Sequence, residues 1–227
     1  MSSRTIAIGD IHGCDVALDI LLEELAPSED DQIVVVGDVI DRGPNTRGCI
    51  DRLLQLREKC RLVHLMGNHE EMYLDAISGG EWTEAWRQYG GEAMLASYGG
   101  NVDDIPQRHM DFIKSGKDYY ETDAVIFCHA AINPAWPMDR QTGHYLRWNR
   151  LTGNEAPHES GKPIICGHTA QRDARPLIFP GWVCIDTCAY SMRGVLSALV
   201  LEEQNIYQAT QWGKFCGVAP AAEFLVV

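Results

Sequence analysis

Three apolar runs, each ending in glycine and a polar side chain, constrain this chain more than any other feature. "TIAIGDIHG" (5–13), "IVVVGDVIDRG" (33–43) and "LVHLMGNHE" (62–70) all lie within the first 70 residues. Their apolar parts, 4–8, 31–36 and 61–66, read as buried strands. Between them, "CDVALDILLEELA" (14–26) sets apolar residues at 16, 18, 21, 22 and 25, a helical stripe, and "TRGCIDRLLQLREK" (46–59) reads as a second helix. After His69 the pattern turns helical again. Strand–helix–strand–helix order implies parallel pairing through right-handed crossovers. Open sheets of this kind bind ligands at the carboxyl ends of their strands, which is where the polar clusters fall.

Short helix-like segments broken by glycine turns fill the stretch from about 75 to 122, read here as a helical insertion in a single domain spanning 1–227. Its aromatics Trp82, Trp86, Tyr89 and Tyr98 have two possible uses, packing of short helices or stacking on a ligand, and packing is the expectation. "AVIFCHA" (124–130) resumes the strand pattern. "PIICGHT" (163–169), "GWVCIDT" (181–187), "VLSALVLEE" (195–203) and "NIYQAT" (205–210) make the C-terminal part mainly β, the last two forming a hairpin.

The formal net charge of −13 argues against a polyanionic nucleic-acid partner. No apolar run approaches the ~20 residues a membrane helix needs, so no membrane partner is expected. The N-terminus lacks the apolar stretch and small-residue cleavage site of a signal peptide, which makes a cytoplasmic protein the expectation. Eight cysteines without a CxxC pair, in a chain of 227 residues, are expected to be reduced thiols.

The residues that close the strands are Asp10 and His12, Asp38, Asn68 and His69, His129, and His168. Alone, an Asp after a strand is most often a helix cap, and a lone His is most often structural. Recurrence at five strand ends, all on the carboxyl side, points to one shared site. Carboxylate, amide oxygen and imidazole nitrogen together suit Mn²⁺, Fe²⁺ or Zn²⁺.

"GDIHG" (9–13), "GDVIDRG" (37–43) and "GNHE" (67–70), followed by "CHAAINP" (128–134), "LRWNR" (146–150), "CGHT" (166–169) and "IDTCAY" (185–190), resemble the signature of the calcineurin-like metallophosphoesterases. Within that group they resemble the phosphoprotein phosphatases, notably the small bacterial and phage serine/threonine members, over about residues 4 to 202. The resemblance implies an α/β fold with a central β-sandwich of mixed sheets flanked by helices. It also implies two divalent ions, Mn²⁺ first, with Fe or Zn as alternatives. Asp10 and His12 would hold one ion, Asp38 would bridge both, and Asn68, His129 and His168 would hold the other. His69 would be the general acid, oriented by Asp41, and Arg42 and Arg150 would grip the phosphate, with Asn68 beside them. Ala131 and Cys188 stand where this family generally carries glycine, so either position can meet a backbone angle that a side chain resists.

Such an ion pair lowers the pKa of a bound water from 15.7 towards ~7 and so supplies hydroxide for direct attack on phosphorus. A serine or threonine alkoxide leaves poorly and needs a proton, for which His69 is the expected source. A phosphorylated protein or peptide is the expected substrate, phosphoserine or phosphothreonine first with phosphotyrosine as a dual-specificity alternative, and with a preference for basic flanks suggested by the acidic surface. The rival is a dinucleoside polyphosphate, cleaved by a symmetrical diadenosine tetraphosphate hydrolase that shares these motifs. A non-catalytic binding module on the same scaffold is the least favoured reading.

Overall fold

The computed structural model describes residues 3–226. Three parallel strands come first, β1 (Thr5–Ile8), β2 (Gln32–Val35) and β3 (Arg61–His64), joined by helices α1 (Asp15–Leu25) and α2 (Thr46–Arg57). Helix α3 (Asn68–Ile77) follows directly. Helix α1 buries Ala17, Leu18, Leu21 and Leu25 and ends where Ala26 turns left-handed at φ 42°. Helix α2 starts where the Asn45 side chain accepts a hydrogen bond from Gly48 N at 2.9 Å.

The inserted stretch is helical through α4 (Thr83–Trp86), α5 (Glu92–Tyr98) and α6 (Gln107–Lys114), with Gly90 at φ 124° breaking the path between α4 and α5. Its end departs from expectation, because Tyr119–Glu121 forms a strand, β4, antiparallel to β5 (Ile126–Cys128). Helix α7 (Gly143–Trp148) precedes β6 (Ile164–Cys166), β7 (Leu177–Phe179), β8 (Trp182–Cys184), β9 (Leu196–Val200), β10 (Asn205–Thr210) and β11 (Lys214–Pro220). The β9–β10 hairpin forms as read from the sequence, and β11 extends it.

Two mixed sheets result, one in the order β11-β10-β9-β1-β2-β3 and the other β4-β5-β6-β8-β7. Because side chains alternate along a strand, each central strand serves two layers. Ile6, Ile8, Ile33 and Val35 face the helices, whereas Ala7, Val34 and Val36 face the second sheet. In β5 the same alternation sends Phe127 into the seam between the sheets, and Ile126 and Cys128 into an outer layer with Leu146 and Trp182. Burial on both faces explains the continuous apolar runs. All eight cysteines are free thiols, seven buried and Cys216 exposed. No helix among the described residues is long and apolar enough to cross a membrane.

One core residue is out of keeping with its surroundings. His64 at the end of β3 is buried against the Phe112 ring at 4.6 Å, and neither of its ring nitrogens has a partner. Burial lowers its pKa to about 4. The unfolded chain therefore binds a proton below the ordinary histidine pKa that the folded chain refuses. Stability from this residue is full above that pKa and falls as the pH drops towards about 4. Replacing His64→Phe is expected to remove about 2 kcal/mol of the stability lost between pH 7 and pH 5, read from urea midpoints at the two pH values.

Candidate metal centre

The polar strand ends converge. In the first sheet, β1, β2 and β3 lead into Asp10 and His12, Asp38, and Asn68 and His69. In the second, β5, β6 and β8 lead into His129, His168 and Asp186. The site therefore straddles the seam of the sandwich. His12, Asp38 and His69 bring ligand atoms within 4.8 Å of one another, and so do Asp38, His129 and His168. Asp38 belongs to both groups, with Oδ2 3.5 Å from His12 Nε2 and Oδ1 3.5 Å from His129 Nε2.

Backbone carbonyls determine which way each imidazole offers its lone pair. A carbonyl only accepts, so His12 Nδ1–H donates to Ile40 O at 2.8 Å and His129 Nδ1–H to Val36 O at 2.9 Å. His168 Nε2–H donates to Trp148 O at 3.1 Å. The lone pairs of His129 Nε2 and His168 Nδ1 then both face Asn68 Oδ1, at 3.1 and 3.0 Å. Three acceptors facing one another without a donor form a seat for a cation. His12 Nε2 meets Arg42 Nη1 at 3.0 Å, so the partner it faces here is also cationic. Asp10 stands slightly apart from the two groups, its carboxylate accepting from His168 N at 3.0 and 3.3 Å.

Electrostatics divide the four imidazoles. Burial pushes His12 well below the ordinary value, helped by Arg42. His129 is lowered by burial, and His168 is lowered to about 4 by burial and by His129. These three are neutral at pH 7, as metal-binding imidazoles must be. At His69 burial works in the same direction but loses to the carboxylates of Asp38 and Asp41, which raise its pKa. His69 Nδ1–H donates to Asp41 Oδ2 at 2.7 Å. Distance alone admits His69 as a ligand beside His12 and Asp38, but its tie to a buried carboxylate suits it to hold and release a proton. Burial also works to raise Asp38, yet the surrounding imidazoles, His129 foremost, hold it far below the usual range. Asp10 is raised by burial and by the nearby Asp186 and Asp38 carboxylates. Asp186 is likewise raised, to about 6, by burial and by Asp38, and cations among these crowded carboxylates would relieve that cost. Donor set and charge balance therefore both fit a pair of divalent ions.

The sequence profile described as calcineurin-like phosphoesterase matches residues 3–203. The chain belongs to that family. Over 154 residues it is 28% identical to a symmetrical bis(5'-nucleosyl)-tetraphosphatase of Legionella pneumophila (strain Lens), covering 67% of this chain and 53% of the relative. Over 86 residues it is 43% identical to serine/threonine-protein phosphatase 1 of Salmonella typhimurium, covering 37% and 38%. The matched stretches thus span about half the length of the first relative and less of the second. A solved structure provisionally described as a diadenosine tetraphosphatase aligns with a TM-score of 0.72 at 21% identity, covering 94% of this chain and 96% of that one. That likeness is one of fold.

Around this calcineurin-like centre the backbone departs from its preferences. His12, Asp38, Asp41, Arg42 and His168 all have positive φ, between 45° and 70°. Side chains rarely adopt this region outside sites where the surroundings enforce it. A Cβ on Gly167 would collide with Asp10 Oδ1, and one on Gly67 with Asp38 Oδ1, so both carboxylates rest against bare backbone. Of the two positions where the family generally has glycine, Cys188 adopts the strained angle, φ 58°, while Ala131 is not among the positive-φ residues.

Glu70, Asp186 and Trp86 also shape the site. The buried Glu70 carboxylate accepts from Asp38 N (3.0 Å), Val39 N (2.8 Å) and Gly67 N (3.0 Å), bracing the loop that presents Asp38. Its signal was an acid three residues past a helix cap. Asp186 follows an apolar strand just as Asp10 and Asp38 do. Trp86, in the insertion, donates its indole N–H to both Asp41 oxygens at 3.1 and 3.0 Å, which no local pattern reveals. The other insertion aromatics divide. Tyr98 packs inside, whereas Trp82 stacks on Trp148 at 5.0 Å and lines the cleft together with the exposed Tyr89. Arg150 lies on the cleft wall, and Arg42 stacks on Tyr190 at 4.8 Å.

Trp86→Phe keeps the ring in the core but deletes both bonds to Asp41. Steady-state kinetics are expected to show kcat for alkyl phosphates reduced by about tenfold to a hundredfold, with p-nitrophenyl phosphate much less affected.

Proposed function

We propose that this chain is a divalent-metal-dependent phosphomonoesterase that removes phosphate from serine or threonine side chains of proteins. The carrying observation is the contrast between three site-facing imidazoles backed by neutral carbonyls, with lowered pKa values, and one, His69, whose Nδ1–H meets the Asp41 carboxylate at 2.7 Å and whose pKa is raised by Asp38 and Asp41. Environments that drive like groups apart in pKa separate ligand from acid. Ions held by Asp10, His12 and Asp38, and by Asp38, Asn68, His129 and His168, would supply Lewis acidity and an acidified water; Mn²⁺ is the proposed metal, with Fe or Zn suited to the same donors. Arg42 and Arg150 neutralise and orient the phosphoryl oxygens as bidentate forks. Asn68 lines the same cleft. His69 passes its Nε2 proton to the departing alkoxide oxygen as the ester O–P bond breaks, and Asp41 keeps the ring aligned. Water supplies the oxygen that ends on inorganic phosphate and a proton that restores His69. Eight free thiols suit a reducing compartment, and a cytoplasmic location belongs to the same proposal.

A second reading, symmetrical dinucleoside tetraphosphate hydrolysis, is favoured by the Trp82–Trp148 pair and Tyr89 in the cleft, since stacked indoles offer a face to a nucleobase. The Legionella relative bears that activity in its name. The two readings differ in leaving group, because a nucleoside diphosphate departs without a proton.

Protein stripped of metal and reloaded with Mn²⁺ should hydrolyse a phosphoserine peptide faster than diadenosine tetraphosphate at matched concentrations. Dominant ADP release from the dinucleotide would replace the first reading with the second.

The proton on His69 is present below its raised pKa and is lost as pH climbs through it, so kcat for the phosphoserine peptide should fall on the alkaline side. Asp41→Asn removes a carboxylate that raises that pKa and should move the falling limb to lower pH. His69→Asn should cost about 10²–10⁴-fold on phosphoserine and far less on p-nitrophenyl phosphate.

A further inference from the structure

Beside the catalytic cleft lies a second concavity with no part in the chemistry above. The cleft has a volume of about 410 Å³ and is walled on one side by Arg150, Arg172 and Tyr190. An adjoining pocket, also about 410 Å³, is lined by Arg172, Tyr190, Met192 and Arg193 among others. Arg172 and Tyr190 belong to both, so the two spaces adjoin across these side chains.

Both arginine-bearing loops leave the carboxyl ends of second-sheet strands, one after β6 and the other between β8 and β9. Each is tied down. Ser191 N donates to Cys188 O at 2.9 Å and Gly194 N to Ser191 O at 3.1 Å, closing the turn that displays Arg193. Gln171 N donates to Asp186 O at 2.9 Å, and Gln208 Nε2 to Ala174 O at 3.0 Å, fixing the loop that carries Arg172. Among the described residues, neither Arg172 nor Arg193 forms an ion pair with a carboxylate. Arg42 stacks on Tyr190, and the cleft also holds the Asp10 and Asp38 carboxylates, whereas the outer pocket is lined by Arg172 and Arg193 with no carboxylate. The outer pocket thus has a sign opposite to the chain's net charge of −13, which is how a surface selects an anionic ligand.

We propose that the pocket lined by Arg172 and Arg193 is a second anion subsite, taking a further carboxylate or phosphate of the substrate while the scissile phosphate lies in the cleft. The proposal rests on the phosphoesterase reading and narrows it to substrates bearing a second negative group. Guanidinium forks match carboxylate and phosphate alike. In a phosphopeptide the group is an acidic or phosphorylated neighbour of the phosphoserine; in a dinucleoside polyphosphate it is another phosphate of the chain. The local charge thus runs against the preference for basic flanks suggested by net charge.

Arg193 lines only the outer pocket, so Arg193→Glu and Arg193→Ala probe the subsite while sparing the cleft. Turnover of p-nitrophenyl phosphate by both variants, loaded with Mn²⁺, should stay within about twofold of the parent. Phosphoserine peptides flanked by glutamate or by glutamine, and diadenosine tetraphosphate, are then measured as competitors of that hydrolysis at low salt. Competition reports binding even for a compound that is not turned over, so failure of the protein-phosphatase reading leaves the subsite test intact. For Arg193→Glu, the glutamate-flanked peptide should compete about fivefold to tenfold less well, with the glutamine-flanked peptide unchanged and Arg193→Ala intermediate. Weakening confined to diadenosine tetraphosphate supports the subsite and names a polyphosphate as its occupant. Equal loss for both peptides, or no loss for any competitor, overturns it.

Discussion

A single buried carboxylate organises this molecule. Asp38 turns one oxygen towards His12 and the other towards His129, and accepts a backbone hydrogen bond from His69 N at 3.0 Å. An ionised group so deep in protein requires compensation, and the surroundings are shaped to provide it. Glu70 fastens the Asp38 loop, Gly67 makes room for the side chain, and the positive φ at Asp38 turns it inward. With Asp38 placed, the groups around it acquire their character. Imidazoles with a backbone carbonyl behind them present lone pairs, and the one with a carboxylate behind it has its pKa raised.

That division shows how similar side chains acquire different work from what lies behind them. His12, His129 and His168 donate to Ile40, Val36 and Trp148 carbonyls, which are neutral, and burial keeps the rings uncharged. His69 donates to Asp41, itself fastened by Trp86 from the inserted helices. The insertion is therefore part of the site as well as a cover over the helical face.

Much of this was legible in local pattern. An apolar run ending in Gly-Asp or Gly-Asn-His is a short-range signal, and Asp10, His12, Asp38, Asn68, His69, His129 and His168 do gather at the strand ends where they were expected. Arg42 and Arg150 were reached through family resemblance, since nothing in their immediate neighbours separates them from surface arginines. What escaped depends on long-range contacts or on brevity. Trp86 meets Asp41 across 45 residues. Arg172 and Arg193 share a groove only because two loops of the second sheet lie side by side. Strands β4 and β7 have three residues each, too few to show a period, and β11 alternates exposed and half-buried positions without an apolar face. Asp186 follows its strand with the same local signal as Asp38.

The ligands come from both halves of the sandwich, and no disulfide among the described residues ties those halves together. Their alignment rests on interdigitated aliphatic side chains such as Val34, Val36, Phe127 and Ile165 and on a few cross-links such as His129 Nδ1 to Val36 O. Sliding one sheet past the other by a fraction of a residue would leave secondary structure intact while parting Asp38 from His129. The ion-binding constellation is thus a vernier for the packing beneath it, reading small slips that the rest of the protein would absorb unnoticed.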